Sequence, residues 1–255
     1  MIIIYLCIFF LGASLASYIN ATVYRIEKKI KYPDILTKSS YCENCKKQLT
    51  WTELIPIIGY LFIKGECPKC KEKIDTYYPL SETILGLSFL LFFVLKLPFH
   101  LWITIIFLFI MSYYDILYRG VPKSLVHIFL LFSLVIFILF NLNIYSVVVT
   151  LLIISLPLLL SYIIKKSFGF GDILILLGIG LILPFKSFIL LFWLSIFTAL
   201  LYAILYALLK KKKLRGIKIP MVPFFMFSFI ISSMWGVKMF DILLHLLGIV
   251  QLYLP

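Results

Sequence analysis

Apolar runs separated by brief polar bridges occupy nearly the whole chain. Residues 1–19 form the first. Others follow near 79–95, 100–114, 124–141, 145–164, 172–184, 187–209, 220–236 and 239–254. A helix needs ~20 apolar residues to cross a bilayer. The runs at 172–184 and 239–254 fall short of that and read as half-spans, tilted or interfacial segments. One stretch breaks the pattern: residues 25–76 form the only long polar segment. The pattern predicts an all-α polytopic membrane protein of about eight transmembrane helices, with a polar loop between the first two. Its segments are a first transmembrane helix (1–24), the loop (25–76) and a transmembrane core (77–255).

Composition agrees. Mean hydropathy is +1.11, with 63% hydrophobic and 14% charged residues, far from the roughly 25% charged typical of soluble domains. The net charge of +13 is unevenly spread, and eleven of the 24 Lys and Arg lie between Arg25 and Lys73. A second cluster runs from Lys210 to Lys218. Basic clusters beside apolar spans report cytosolic sides and meet anionic lipid; flanking spans as they do, they argue against nucleic acid as a partner. Alternation places Lys96, Asn141 and Asn143 outside, and Arg119, Lys123, Lys165 and Lys166 inside. Lys186 and Lys238 dissent. In the first run the positive charge follows the apolar stretch, unlike a cleavable signal, so an uncleaved span with its N-terminus outside is expected. Gly12-Ala13-Ser14 in that span suits close helix packing, and Cys7 reads as a small packing residue.

The loop carries Cys42-Glu43-Asn44-Cys45 and Cys67-Pro68-Lys69-Cys70, the spacing of a four-thiolate zinc site. A redox pair or a disulfide set is the alternative; a reducing cytosol disfavours disulfides, and two pairs disfavour a lone redox motif. Four protein ligands leave no open coordination position, so the zinc is structural. His100, His127 and His245 are too scattered to suggest a catalytic metal.

Acidic residues number only eleven, and seven lie in the polar loop or at its edge. Of the remaining Glu82, Asp115, Asp172 and Asp241, two combine a span end with one face. Asp115 closes a span, Asp172 opens another, and two crossings between them return the chain to the same, cytosolic side. A charged group at membrane depth is a functional candidate by default. Asp172 as a simple helix cap is the bland reading. Two carboxylates, one ionised and one protonated, can activate water and polarise a peptide carbonyl. Helix ends offer a way to divide the work, with Asp172 at an N-terminus as base and Asp115 at a C-terminus as acid. Gly169 and Gly171 before Asp172 would let an extended substrate approach the backbone.

Gly169-Phe170-Gly171-Asp172 resembles the GxGD signature of intramembrane aspartyl proteases. Tyr114-Asp115 is similar to presenilin and signal peptide peptidase, but their Pro-Ala-Leu motif is absent. Asp115, seven residues before Pro122, and Ile219-Pro220-Met221-Val222-Pro223-Phe224 resemble the prepilin peptidases, or type IV leader peptidases. The tetracysteine loop resembles that of the bacterial branch. So do Gly12-Ala13-Ser14, Asn20, Tyr24-Arg25, Ile55-Pro56, Tyr60-Leu61 and Tyr78-Pro79-Leu80-Ser81-Glu82. The resemblance spans residue 12 to about 224.

It implies a multi-pass enzyme of the bacterial cytoplasmic (inner) membrane that removes basic leaders from type IV prepilins or pseudopilins. Asp115 and Asp172 would be catalytic, Gly169, Gly171 and Glu82 would bind substrate, and Cys42, Cys45, Cys67 and Cys70 would hold zinc. It also implies S-adenosylmethionine as the cofactor of a second activity, N-methylation of the new N-terminus. Leu174 stands where the family often has Lys, and Leu54 and Gly59 where it often has Asn and Ser; the latter two bear on methylation. Glu82 reads equally as half of a local ion pair. Acidic Glu43, Glu53, Glu66, Glu72 and Asp75 offer the loop a means of holding a basic leader. Two other classes remain: a proton- or cation-coupled transporter built on paired aspartates, and a non-enzymatic zinc-loop scaffold.

Overall fold

A computed structural model describes residues 1–37, 39–140, 144–163, 169–210 and 219–246. Ten helices occupy them: α1 (Ile2–Glu27), α2 (Asp34–Thr37), α3 (Ile58–Phe62), α4 (Tyr77–Val94), α5 (Phe99–Tyr118), α6 (Lys123–Phe140), α7 (Ile144–Ile163), α8 (Phe170–Ile182), α9 (Phe185–Lys210) and α10 (Val222–Leu246). Among the described residues, β-structure is limited to two isolated bridges. Six helices, α1, α4, α5, α6, α9 and α10, are long and apolar enough to cross a membrane. With the 20-residue α7 and the shorter α8 they supply the eight expected elements. The molecule is an all-α polytopic membrane protein.

Helix ends fall where local chemistry puts them. Arg119 terminates α5 in the left-handed region at φ 57°, and Pro122 opens the next helix. Pro184 parts α8 from α9, leaving α8 at 13 residues, or about 20 Å, well short of a hydrocarbon core about 30 Å thick. Pro223 lies in the first turn of α10, where a missing N–H costs least. That helix runs unbroken from residue 222 to 246, through the point at which the apolar runs 220–236 and 239–254 were divided. No Pro interrupts the join, and Asp241 is neutralised by Lys186 at 2.6 Å. The end of the 239–254 run lies outside the described residues, as does the Lys210–Lys218 cluster apart from Lys210.

The chain forms two compact units, Met1–Leu97 and Pro98–Pro255. In the first, α1 packs along α4. Their approach depends on glycine at the crossing. A Cβ on Gly12 would lie 2.8 Å from the Leu85 carbonyl oxygen, and one on Gly86 would lie 2.9 Å from the Phe9 ring. Asn20 of α1 donates to Ser81 of α4 at 2.8 Å, a polar tie suited to an apolar surround. In the second unit, α10 packs on α5 and α9, and α8 packs on α6 and α7. Its interior is built from Leu108, Met111, Ile175, Leu176, Phe225 and Phe229, all fully buried. Leu131, Leu139 and Leu208 point outward, as lipid-facing residues do.

A Gly12→Val substitution is expected to force α1 away from α4 and lower stability by about 1–3 kcal/mol. Gly120→Ala, at a position open on all sides, should stay within about 0.5 kcal/mol of the parent. Thermal unfolding of the two variants in detergent checks both.

Candidate active site and metal centre

The second unit brings Asp115 and Asp172 together. Asp115 lies in the last turn of α5, because that helix extends one turn beyond the apolar run 100–114. Asp172 lies in the first turn of α8. The charge on Asp115 acts directly on Asp172. Both side chains are half-buried. The Arg119 charge also reaches Asp115.

Asp172 is not the residue that caps α8. Gly169 occupies the N-cap, and the Asp172 carboxylate, three residues on, accepts the Gly169 N–H. This is the reciprocal half of a capping box. It orients the carboxylate from below and explains Gly169, where a Cβ would sit 3.0 Å from Asp172 Oδ2. Gly171 is exposed, with nothing within 4 Å of a Cβ placed there. The backbone in front of Asp172 is therefore open.

Asp115 has a second anchor that sequence reasoning missed. Its Oδ2 accepts the Val222 N–H at 3.0 Å, and the Met221 N–H also bonds the carboxylate. These amides open α10, so the segment Ile219 to Phe224, noticed only for its resemblance, is a cradle for the first aspartate. The signal available was Pro223, a helix-start residue. Both aspartates thus face helix N-termini, and helix ends do not divide acid from base as expected.

The first unit holds the cysteines. Each pair forms a knuckle, and the two knuckles repeat one another. Cys42 N–H donates to the Lys47 carbonyl and Cys67 N–H to Glu72; Lys46 N–H donates to Cys42 and Lys71 N–H to Cys67; Leu49 N–H donates to Ser40 and Ile74 N–H to Gly65. Lys46 and Lys71 both adopt the left-handed conformation, φ 56° and 59°. The two knuckles share a short internal repeat, Cys-x-x-Cys-Lys with an aliphatic residue four places after the second cysteine. The four sulfurs lie within 4.8 Å of one another, with Cys42–Cys70 at 3.7 Å and Cys45–Cys67 at 3.8 Å. Tetrahedral ligands about 2.3 Å from a metal have sulfurs about 3.8 Å apart, whereas a disulfide needs about 2.05 Å. The cluster can hold a metal ion. The Cys70 and Lys69 amides hold the Cys67 thiol down at about 6. The Glu72 amide pulls the same way on Cys70, but burial and the neighbouring thiols prevail and push it up to about 11. Four clustered sulfurs ionise together only around a cation.

Glu82 is 7% exposed and forms no ion pair among the described residues. Its Oε2 accepts the Ile57 N–H at 2.7 Å, and Ser17 bonds the same carboxylate. Glu53 is the paired one, with Lys47 at 2.6 Å and the Thr50 N–H at 2.8 Å. These contacts hold its carboxyl below the usual range. A Cβ on Gly59 would overlap the Glu53 carbonyl, so the serine that the resemblance suggests at this position has no room.

A polytopic helical protein with a paired-carboxylate unit and a four-cysteine unit is thereby defined. Residues 10–96 match the bacterial peptidase A24 N-terminal domain, and residues 102–204 match the type IV leader peptidase family. Those two stretches belong to the type IV leader peptidase family. The chain is similar to the prepilin leader peptidase/N-methyltransferase of Klebsiella pneumoniae, 29% identical over 33% of this chain and 38% of that protein. The Vibrio cholerae protein of that name is 30% identical over 40% and 39%, and the Legionella pneumophila one 26% over 82% and 76%. Against the first two, the matched region spans less than two-fifths of the relative. No solved structure matches the chain.

One bound metal ion per chain is expected by elemental analysis. Cys45→Ser should lose most of it and open the lysines of residues 46–73 to trypsin, whereas Cys7→Ser should do neither.

Proposed function

We infer that this protein is a membrane aspartyl endopeptidase of the bacterial inner membrane, cleaving basic leaders from type IV prepilin-like proteins at the cytosolic face. N-methylation of the new N-terminus by S-adenosylmethionine follows. The observation that carries the reading is the convergence of Asp115 and Asp172, each on backbone amides that open a helix, in the unit matched by the type IV leader peptidase family. The names of the relatives support cleavage and methylation together.

The chemistry needs only the carboxylate pair and water. The ionised carboxylate takes a proton from water as its oxygen attacks the scissile carbonyl carbon. The protonated partner gives its proton to the carbonyl oxygen. The tetrahedral intermediate then collapses, the C–N bond breaks, and the departing amine receives a proton from the pair. The amides of Met221, Val222 and Gly169 fix the two carboxylates in register. The open backbone at Gly171 is where an extended substrate would lie. Zinc suits the four thiolates; with all four positions filled, it stabilises the knuckles and takes no part in cleavage. The reading of paired aspartates as a transport site is not favoured, since neither the four-cysteine cluster nor the family matches point to it.

Incubation with a prepilin should release the leader, and Asp115→Asn or Asp172→Asn should each slow this by about 10²–10⁴-fold. Undiminished cleavage in either variant would reject the pair. Gly169→Ala should slow cleavage by displacing Asp172, and Gly171→Ala should leave thermal stability unchanged. The two glycine variants, compared by initial rate and melting temperature, separate carboxylate positioning from substrate approach.

A further inference from the structure

A cavity of about 780 Å³ lies within the first unit, between the ends of α1 and α4 and the cysteine segment. Its size is that of a site for a small organic ligand. Five of its lining side chains are carboxylates, of which Glu53 is already paired with Lys47, and only Arg25 and Lys73 are cationic. Arg25 is already engaged, donating to the Ile35 carbonyl at 3.0 Å and the Ser40 hydroxyl at 3.4 Å. Among the described residues, only the cysteines converge tightly enough to hold a metal. The acidic excess is therefore spread over a volume that an extended cation fills better than an ion.

A second observation identifies what the cavity lacks. Asn20 lines it, is 1% exposed, and has an Oδ1 without a hydrogen-bond partner among the described residues. The orientation of its amide is fixed by its neighbour. Ser81 spends its own proton on the Tyr78 carbonyl at 2.8 Å, so toward Asn20 it can only accept, and it takes the Nδ2–H. The carbonyl oxygen is left needing a donor, a costly state for a buried acceptor. Glu82 stands at the same end: it follows Ser81 in α4, and it is bonded by Ser17, one turn before Asn20 in α1. Tyr24, Tyr60 and Tyr78 also line the cavity, and Lys28 already stands 5.5 Å from the centroid of the Tyr24 ring, a cation–π contact.

We propose that this cavity binds a protonated primary amine, with Asn20 Oδ1 and the Glu82 carboxylate as its acceptors. The proposal rests on the methylation reading above, which supplies two sources of such a group: the amino-acid end of S-adenosylmethionine, or an amine of the substrate polypeptide. A carboxamide acceptor beside a carboxylate suits the three donors of an ammonium group. Glu82 has a further duty. Its bond to Ile57 holds that residue at φ 64°, ψ −53°, a strained conformation for a β-branched side chain. The wall of the cavity is thus tied to the acceptor.

The test is binding to the full chain in lipid nanodiscs, in an Asp172→Asn background so that the result does not depend on cleavage. Three probes are compared by thermophoresis: S-adenosylmethionine, a lysine-free peptide with a free α-amine, and the same peptide N-acetylated. Saturable binding of S-adenosylmethionine assigns the site to the methyl donor. Binding of the free peptide but not the acetylated one assigns it to the polypeptide. In either case Asn20→Leu and Glu82→Gln should each weaken binding at least tenfold with metal content unchanged. A glutamine carboxamide can still accept the Ile57 N–H, so Glu82→Gln tests charge should Asn20→Leu fail to fold. The proposal is overturned if no probe binds below millimolar concentration, if the acetylated peptide binds as well as the free one, or if both variants bind like the parent.

Discussion

Two carboxylates share an apolar unit, and everything about that unit follows from the difficulty of keeping them there. A carboxylate removed from bulk water is tolerated only where hydrogen bonds replace its hydration. Here the replacement comes from backbone amides that helices leave unsatisfied at their first turns. Asp172 uses the amide at the start of its own helix. Asp115, at the far end of α5, borrows the start of α10. The packing of α10 against α5 is consequently part of the site, and the proline-flanked opening of α10 is chemical as much as structural.

The first unit addresses a different constraint. A polar segment rich in lysine has little apolar area to bury, and short hydrogen-bonded turns do not make a core. Two knuckles of one design, closed around a shared four-sulfur cluster, supply the missing cross-link. Around them the polar side chains of α1 and α4 are not solvated surface. Asn20, Ser81 and Glu82 are all more than nine-tenths buried. Glu82 is spent on backbone and hydroxyl donors rather than on a lysine, which sets aside its reading as a local ion pair.

The departures of this chain from its family's habits have a physical side. Gly59 stands where a serine is common because the turn beneath it, pinned by the Lys47–Glu53 pair, leaves no room for a side chain. Asp241, the remaining acid outside the loop, is accounted for by its pair with Lys186, which also relieves the charge that opposed the inferred orientation.

The sequence by itself determined the class of protein, its long apolar helices and the four cysteines that can hold a metal ion, because apolar run length and Cys-x-x-Cys spacing are local properties that lipid and metal read directly. It also singled out Asp115 and Asp172, since a charge at a span end is conspicuous against so apolar a background. Tertiary structure alone decided what holds those groups. The amides of Met221 and Val222 on Asp115, the unmet oxygen of Asn20, and the burial of Glu82 against Ile57 join residues distant in the chain, and backbone donors carry no residue-type signature. The unbroken course of α10 was likewise decided by packing and by a distant counter-charge, neither of which a hydropathy pattern contains.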